Sequence, residues 1–252
     1  MTKRTVFITG ASSGIGEALA RLYASRGDQV GLVARRQDHL QRLAAEITPR
    51  PEIYPLDVRD AGALKAAAAD FIARHGAPDI VIANAGVSRG TLTEMEDDLK
   101  AFQEILDINV MGMVNTFHAF IGPMRSAGNG TLVGIASVAG FRGIPGGGAY
   151  SASKSAAIKY CESLRVELRG TGVSVVTICP GYIRTPMTAV NRFKMPFLID
   201  VDEAVIRFAR AIEANASFTV IPWTMGVAGR ALRMVPNWLY DRVFSRMPRK
   251  PR

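Results

Sequence analysis

The chain has 252 residues, of which 48% are hydrophobic and 21% charged, and its formal net charge is +9. This composition can bury a large core and excludes an intrinsically disordered chain. Seven Arg or Lys residues and one Asp lie from Trp223 onward, so the net charge there is +6 and only +3 remains on the first 222 residues. The basic character belongs to the C-terminal end, and we therefore expect no nucleic-acid partner.

The two cysteines, Cys161 and Cys179, lie in apolar stretches without the spacing of metal ligands, and the three histidines are scattered. We therefore expect buried free thiols in a reducing compartment, and no metal site. The N-terminus passes within a few residues into an apolar strand, and no apolar run of 18 residues follows. We expect neither a signal peptide nor a membrane span, and a cytoplasmic protein.

Short apolar runs alternate with longer amphipathic stretches through most of the chain. Several runs are apolar throughout, as is typical of strands buried on both faces of a parallel sheet. The alternation predicts an α/β fold with right-handed crossovers, in which a doubly wound, seven-stranded parallel sheet has helices on both faces. The predicted strands are 4–9, 29–34, 52–56, 79–83, 131–136, 173–179 and 217–221. The predicted helices are 15–26, 37–47, 60–75, 98–122, 149–169 and 202–214.

The chain shows neither an internal repeat nor a linker, so residues 1–222 are predicted to form one catalytic domain. Two segments elaborate this domain. The first, which we call the insert, comprises residues 186–199. The second, which we call the tail, comprises residues 223–252 and carries most of the basic excess.

A glycine-rich turn follows the first predicted strand and precedes the first predicted helix. It reads Thr9-Gly10-Ala11-Ser12-Ser13-Gly14-Ile15-Gly16. Gly10 permits the tight turn, Gly14 lets the backbone approach a pyrophosphate, and Gly16 permits close packing of helix on strand. The helix N-terminus adds free N–H groups and a partial positive charge. A purely structural turn is the alternative, but this context predicts a Rossmann-type dinucleotide site that includes Ser12, Ser13 and Ile15.

The residues after the second predicted strand indicate which dinucleotide the site prefers. An NAD site usually places Asp or Glu there to bind the ribose 2′-hydroxyl, whereas this chain has Ala34-Arg35-Arg36. Guanidinium groups suit the 2′-phosphate of NADP, which they bind through charge-assisted hydrogen bonds. We expect Arg35 to make the main contact. One of the two arginines has a second interpretation, as a solvated residue at the start of the next helix.

Tyr150 and Lys154 lie four residues apart in a predicted helix, and Ser137 lies 13 residues upstream at the end of a predicted strand. An i, i+4 pair projects from one helix face, so the phenol and the ammonium are predicted to share a site. A fixed positive charge favours the phenolate and lowers the tyrosine pKa from ~10 toward neutrality. For the pair alone, a surface tyrosine beside a solvated lysine is the alternative to an acid–base catalyst.

Together these motifs resemble the short-chain dehydrogenase/reductase family in its single-domain form, over roughly residues 4–185. The matching positions, in the family's order and spacing, are Thr9-Gly10, Gly14, Gly16, Asp57-Val58, Asn84-Ala85-Gly86, Asn109, Ser137, Tyr150, Lys154, Pro180-Gly181 and Thr185. The resemblance implies a Rossmann-type fold. It also implies NADP as cofactor and hydride transfer that interconverts a small-molecule carbonyl compound and an alcohol.

The resemblance implies how the cofactor is held. Asp57 and Val58 would flank the adenine, and Asn84-Ala85-Gly86 would pass along the cofactor. Lys154 would bind the hydroxyls of the nicotinamide ribose, with Tyr150 beside it. The residues that would border the nicotinamide are Pro180, Gly181, Ile183 and Thr185.

The resemblance also implies the catalytic roles. Tyr150 would donate a proton to the carbonyl oxygen, and Ser137 would donate a hydrogen bond to it. Lys154, together with the positive nicotinamide of the oxidised cofactor, would lower the pKa of Tyr150. Asn109 would hold a water that links Lys154 to solvent. The alternative function is a non-catalytic NADP-binding sensor or scaffold, which would need the cofactor site but not the proton donor.

The insert is rich in methionine and phenylalanine. In the family the corresponding segment covers the substrate, so we consider Met187, Phe193, Met195 and Phe197 as candidates for the lining of an apolar pocket. Ordinary packing of an irregular segment is the alternative. The substrate itself is not identified by the sequence.

The tail contains two short amphipathic segments. In the first, Arg230 and Arg233 are assigned to one side of a helix, and the apolar residues assigned to the other are Val227, Ala231, Met234 and Val235. In the second, the residues that recur every four positions are Leu239, Val243 and Met247. We expect a helical element that packs over the substrate mouth or a subunit interface, since its apolar side would otherwise be an exposed patch. The alternative is peripheral contact with a membrane and a lipid-derived carbonyl substrate.

The predicted helices 98–122 and 149–169 carry more apolar residues than one buried face needs. In the family that the chain resembles, the equivalent helices pair across a two-fold axis. We therefore expect a homo-dimer or a homo-tetramer.

Overall fold

Parallel strands form the centre of the molecule. In the computed structural model, which describes residues 3–191 and 193–246, the strands are β1 (Thr5–Thr9), β2 (Gln29–Ala34), β3 (Glu52–Pro55), β4 (Ile80–Ala83), β5 (Gly130–Ile135), β6 (Val173–Pro180), β7 (Ile183–Arg184), β8 (Ile199–Asp200) and β9 (Phe218–Ile221). Seven of these strands form one parallel sheet in the order β3-β2-β1-β4-β5-β6-β9. The predicted seven-stranded, doubly wound sheet is confirmed.

Helices connect the strands and cover both faces of the sheet. They are α1 (Gly14–Ser25), α2 (Gln37–Glu46), α3 (Ala61–His75), α4 (Glu96–Leu106), α5 (Gly112–Ala127), α6 (Gly148–Glu167), α7 (Pro186–Ala189), α8 (Val201–Glu213), α9 (Trp223–Met234) and α10 (Asn237–Phe244). Helices α1, α2 and α8 contribute to one apolar core, and α3, α5 and α6 contribute to the other. The predicted C-terminal helical extension is confirmed as α9 and α10. Met247, the last residue of the second predicted tail segment, lies outside the described residues, as do residues 248–252.

Alternation along the strands divides the apolar side chains between the two cores. In β1, Ile8 faces the core of α1 and α8, whereas Phe7 faces the core of α3 and α5. The ring centroid of Phe7 lies 5.4 Å from that of Phe71 and 4.6 Å from that of Phe120. Because both faces are covered, the strand interiors are mostly apolar, which is why the sequence pattern located them.

The helix predicted over 98–122 is longer and contains an interruption. Helices α4 and α5 run continuously over Glu96–Ala127 through a π-helical turn at Asp107–Met111. By length and composition this continuous helix could cross a membrane, which the sequence analysis did not expect. Its apolar side chains pack on the sheet instead, where Phe117 and Phe120 are fully buried. We therefore interpret it as a core helix.

The helix faces that we expect to pair between subunits carry exposed apolar side chains. Leu99 on α4 is exposed, as are Met111 in the π-helical turn and Val166 on α6. Such side chains are available to a subunit interface. The expected dimer or tetramer stays a prediction.

The insert contains short elements that the sequence analysis did not predict. Strand β7, just before the insert, pairs in parallel with β8, which begins at the last residue of the insert. Helix α7 begins after Thr185, whose side chain forms a capping box with that of Thr188. Elements of two to four residues show no measurable hydrophobic periodicity, so the sequence pattern could not reveal them. Arg192 lies outside the described residues.

One arginine holds both helices of the tail against the domain. Arg142 donates hydrogen bonds to the carbonyl of Val235 at the end of α9 (2.6 Å) and to Oδ1 of Asn237 at the start of α10 (3.1 Å). Its guanidinium carbon lies 3.8 Å from the ring centroid of Tyr240. The Tyr240 hydroxyl donates to the carbonyl of Gly143. We call these contacts the Arg142 latch.

Helix α9 packs through a different face from the apolar side predicted for it. Val227 is 56% exposed and Met234 is 81% exposed, whereas Met225 faces the interior. The packed face approaches so closely that a Cβ built on Gly229 would lie 2.5 Å from the Phe141 ring. Hydrophobic periodicity follows large side chains and ignores glycine, so it selected the wrong face.

We predict that Arg142→Ala releases the tail, because the variant leaves main-chain carbonyls at the end of α9 without a charged donor. The melting temperature should fall by about 4 °C or more, and thermolysin should cleave within the tail faster than in the parent protein. Differential scanning calorimetry and a proteolysis time course measure the two effects.

The matched control for the Arg142 latch is Arg207→Ala. Arg207 pairs with Glu203 one turn away on an exposed face of α8, and such pairs contribute little to stability. Its melting temperature should stay close to that of the parent. Equal losses in the two variants would contradict a specific role for the latch.

Candidate active site

Hydrogen bonds join the ends of β1 and β4 beneath the glycine-rich turn. The Thr9 hydroxyl accepts from the backbone N–H groups of Asn84 (3.1 Å) and Ala85 (3.2 Å). The Asn84 side-chain amide donates to the carbonyls of Thr9 (3.0 Å) and Gly10 (3.3 Å). These bonds fix two loops at the point where the strand order reverses, which is where doubly wound sheets bind ligands.

The glycine-rich turn needs glycine for its backbone and for close approach. Gly10 has a φ of 69° and Gly14 a φ of 58°, in the left-handed region that favours glycine. A Cβ at Gly16 would lie 2.3 Å from the Gly10 carbonyl oxygen. Ser13 precedes α1, and within the described chain its side chain makes no capping bond to the helix. The first N–H groups of α1 are therefore suited to bind an anion.

Arg36, and not Arg35, lies beside the glycine-rich turn. Its guanidinium donates to the hydroxyls of Ser12 (2.9 Å) and Ser13 (3.2 Å). Arg35 lies nearer to Asp57, with 3.9 Å between guanidinium nitrogen and carboxylate oxygen. A guanidinium and two hydroxyls make a set of donors that suits a phosphate group. The sequence analysis favoured Arg35 for the main contact, but these contacts favour Arg36.

Asp57 and Val58 follow β3 and are held by other loops. Arg59 donates to the Asp57 carboxylate at 2.7–3.1 Å. These hydrogen bonds are the main cause that keeps the pKa of Asp57 below its usual value, so the carboxylate stays ionised at neutral pH. Val58 is buried against Gly112, where a Cβ would lie 2.5 Å from the valine side chain.

These groups surround a cavity of about 320 Å³, which we call the first cavity. Its lining includes most of the predicted cofactor residues, namely Gly10, Ser12, Ser13, Gly14, Ile15, Arg35, Arg36, Asp57, Val58, Asn84, Ala85, Gly86 and Thr185. Lining residues that the sequence analysis missed are Ala34, Leu56, Val87, Ile108, Pro186 and Met187. The left-handed glycines, the helix N-terminus and the cluster of donors all fit a dinucleotide that carries an additional phosphate.

The remaining predicted cofactor residues lie outside the lining of the first cavity. Gly16 packs beneath the glycine-rich turn, and Ile183 is buried in one apolar core. Gly181 lines a second cavity, together with Tyr150. The Pro180 carbonyl faces Ser137, with 3.5 Å between the carbonyl oxygen and the serine Oγ.

Ser137 and Tyr150 meet at the second cavity. Ser137 follows β5, and its Oγ accepts a hydrogen bond from the backbone N–H of Ala139 (3.1 Å). The Ser137 side chain also forms a hydrogen bond with Tyr150. Burial raises the pKa of Tyr150 above its ordinary value, and the hydrogen bond with Ser137 opposes part of that increase. Tyr150 is therefore protonated at neutral pH in this structure.

Lys154 is buried beside Tyr150 and is bound to the sheet. Its Nζ donates to the carbonyl of Ile135 (2.8 Å) and lies 5.9 Å from the ring centroid of Tyr150. Burial lowers the pKa of Lys154 to about 8. The sequence analysis expected Lys154 to lower the pKa of Tyr150. In this structure the pKa of Tyr150 is raised, because burial outweighs the favourable contacts.

Asn109 connects the loop after β4 to the helix that carries Tyr150. Its side-chain amide donates to the Val87 carbonyl and to Ser153 Oγ, both at 3.0 Å, and its Oδ1 accepts from the Val87 N–H (2.8 Å). Ser153 in turn donates to the carbonyl of Tyr150 (2.8 Å). Both amide hydrogens of Asn109 therefore have protein acceptors, and its Oδ1 has one of two acceptor positions filled. The water expected at Asn109 stays a prediction.

The second cavity has a volume of about 410 Å³ and is mostly apolar away from Ser137 and Tyr150. Its apolar lining residues include Val138, Phe141, Ile144, Met187, Phe193, Phe197, Met225, Leu232 and Phe244. Met187 lines both cavities, which therefore adjoin. Of the four insert residues proposed for a substrate pocket, Met195 is absent from the lining of this cavity. The sequence analysis named none of the tail residues, because helical periodicity alone did not tell which face of the tail is buried.

The chain is similar to known oxidoreductases over nearly its whole length. Residues 4–195 match the sequence profile described as short chain dehydrogenase. An uncharacterized oxidoreductase of Myxococcus xanthus is 40% identical over 252 residues, a region that covers 98% of each protein.

Solved structures show the same similarity. A short-chain dehydrogenase from Streptomyces avermitilis has a TM-score of 0.81 at 27% identity, and the match covers 91% of this chain and 92% of that one. The closed form of a serine dehydrogenase complexed with NADP+ has a TM-score of 0.79 at 26% identity, over 86% of this chain and 93% of that one. The chain therefore belongs to the short chain dehydrogenase family of oxidoreductases.

Proposed function

We propose that the protein is an NADP(H)-dependent oxidoreductase that interconverts an apolar carbonyl compound and the corresponding alcohol. The observation that carries the proposal is the hydrogen-bonded pair of Ser137 and Tyr150 in a mostly apolar cavity. That cavity adjoins the cavity at the glycine-rich turn, as hydride transfer between a cofactor and a substrate requires.

The proposed reaction adds one hydride and one proton to the carbonyl group of the substrate. NADPH held by the residues of the first cavity would supply a hydride for the carbonyl carbon. Tyr150 donates its hydroxyl proton to the carbonyl oxygen as negative charge develops there, and Ser137 donates a hydrogen bond to the same oxygen. The product is an alcohol. The Lys154 ammonium beside the ring would stabilise the Tyr150 phenolate that remains, until a proton from solvent restores the phenol.

The protonation state of Tyr150 determines how each direction of the reaction depends on pH. A protonated phenol can act as the acid in carbonyl reduction, whereas alcohol oxidation needs the phenolate as base. Burial raises the pKa of Tyr150. We therefore propose that the rate of alcohol oxidation increases as the pH is raised above neutrality.

The preference for NADP rests on the residues after β2. This strand ends without an acidic residue, and Arg36 with Ser12 and Ser13 forms the donor cluster at the first cavity. An Asp or Glu that would bind a free ribose 2′-hydroxyl is not found at the end of this strand. The serine dehydrogenase with a similar fold is complexed with NADP+, which supports the same choice.

Tyr150→Phe should lower turnover by ~10²–10⁴-fold, because the ring stays and the proton donor is lost. NADPH affinity should change little. Activity is followed by NADPH absorbance on a panel of aldehydes, ketones and alcohols, and cofactor affinity by fluorescence titration. Tyr160→Phe, ten residues further along α6 and outside both cavities, is the matched control and should stay active. Turnover of Tyr150→Phe within a few-fold of the parent would refute the proposed acid.

Cofactor choice is tested by Arg36→Ala and Arg35→Ala. Loss of charge-assisted hydrogen bonds should weaken NADPH binding by about ten-fold or more in Arg36→Ala, with a smaller loss in Arg35→Ala. NADH binding should be nearly unchanged in both. Parallel titrations of the two cofactors measure this. A parent protein that binds NADH as tightly as NADPH would show that the residues after β2 do not select NADP.

The buried ammonium of Lys154 predicts a pH dependence of stability. Between its folded pKa of about 8 and the ordinary value of 10.5, the unfolded chain binds more protons than the folded chain. The free energy of unfolding of the parent should therefore rise with pH in this window, relative to that of Lys154→Met. Urea denaturation of both cofactor-free proteins at several pH values measures the difference. A difference that stays flat or falls would show that folding does not lower the pKa of Lys154.

A further inference from the structure

The outward faces of α9 and α10 carry large apolar side chains that nothing within the described chain covers. On α9, Trp223 is 71% exposed, Val227 56% and Met234 81%. On α10, Trp238 is 69% exposed and Val243 is 52% exposed. We call these five residues, with the arginines between them, the tail surface.

The exposure does not come from an undocked tail. Residues 223, 227, 230 and 234 repeat at the spacing of one stripe on a helix. The opposite side of α9 packs on the domain and lines the second cavity, with Leu232 among its residues. The Arg142 latch holds both helices in this orientation. The tail thus packs one side on the domain and leaves a second apolar side in water, which soluble proteins usually avoid.

Basic side chains accompany the apolar stripe. Asp241 is the only acidic residue between positions 223 and 246, a stretch that contains four arginines. Two of them, Arg230 and Arg233, line with Arg165 of α6 a cavity of about 350 Å³ beside α9. Lys159 and Glu162 also line this cavity and pair with each other, so its charged side chains still carry a net positive charge. Among the residues that the structure describes, these three arginines form no ion pair.

We propose that the tail surface docks on an anionic lipid bilayer. Its tryptophans and other apolar side chains would enter the headgroup region, where tryptophan is enriched in membrane proteins. The basic cavity formed by Arg165, Arg230 and Arg233 would bind a lipid phosphate. Helices of 12 and 8 residues are too short to span a bilayer of ~30 Å. They suit a position in the plane of the interface.

Charge selects this occupant over a second copy of the chain. A two-fold contact between tail surfaces would place the same arginines opposite each other in two subunits that each carry +9. A bilayer with acidic headgroups complements both the apolar stripe and the positive charge. Each arginine near such a surface strengthens the attraction, and added salt weakens it.

The chain offers a direct optical test, because its only two tryptophans, Trp223 and Trp238, both lie on the tail surface. Full-length protein is mixed with vesicles of phosphatidylcholine and phosphatidylglycerol, or of phosphatidylcholine alone. With the anionic vesicles at low salt we expect a blue shift of tryptophan emission, quenching by brominated lipid, and co-sedimentation. High salt should reverse all three. Unchanged emission and no sedimentation with anionic vesicles at low salt would overturn the proposal.

Two charge variants test whether vesicles bind to the tail surface. Arg230→Glu/Arg233→Glu should weaken vesicle binding by at least about ten-fold. The matched control, Arg50→Glu/Lys65→Glu, makes the same change of charge at exposed positions away from the tail and should retain much tighter binding. Circular dichroism and NADPH titration check that both variants are folded. Equal losses in the two variants would show that net charge and not the tail surface binds the vesicles, which overturns the proposal.

Two further measurements exclude other occupants. Emission that shifts with protein concentration in lipid-free buffer would assign the tail surface to a second copy of the chain. A shift of the same size with polyglutamate would assign it to an acidic protein partner. Either result would overturn the proposal. Because the readout is lipid binding and not turnover, it is independent of the proposed reaction.

Discussion

The hydrogen bonds between Thr9 and Asn84 are the constraint on which the rest of the site depends. They join β1 and β4, the two strands between which the sheet order reverses, and so they fix the glycine-rich turn relative to the loop after β4. That loop continues to Val87, which binds Asn109, and Asn109 in turn binds Ser153 on α6. One chain of hydrogen bonds therefore runs from the first cavity to the helix of the proposed acid, and the two cavities are held in one orientation.

Burial of Tyr150 and Lys154 on α6 shifts the pKa values of both side chains, and it also removes water that would stabilise their charged forms. Tyr150 and Lys154 share one face of α6, where removal of water raises the pKa of the phenol and lowers that of the ammonium. Both shifts disfavour the charged form, and a single carbonyl partner for Lys154 does not offset the loss of solvation. Such unfavourable burial of ionisable groups is typical of active sites, where the groups exchange protons during turnover. It is therefore consistent with the proposed reaction.

The sequence was sufficient for features that depend on local rules. Buried parallel strands are continuously apolar, and a tight turn needs glycine at fixed positions, so the sheet and the turn at Gly10 were predicted. The contacts of Arg35 and Arg36 were not predictable, because they depend on how the chain leaves β2 and where Asp57 lies in space. The packed face of α9 was missed for another reason. A glycine such as Gly229 permits close contact without adding any hydrophobic signal.

The π-helical turn at Asp107–Met111 determines the rotation of α5 relative to α4 about the helix axis. The two helices face different neighbours. Each residue of an α-helix advances the side-chain direction by ~100°, and a π-helical turn holds one additional residue. If a single residue were deleted there, the ladder would become regular and α5 would rotate by about that angle relative to α4. The buried side chains of Phe117 and Phe120 would then turn away from the sheet, although neither residue had itself been substituted. The number of residues in this turn therefore determines which side chains of α5 reach the core.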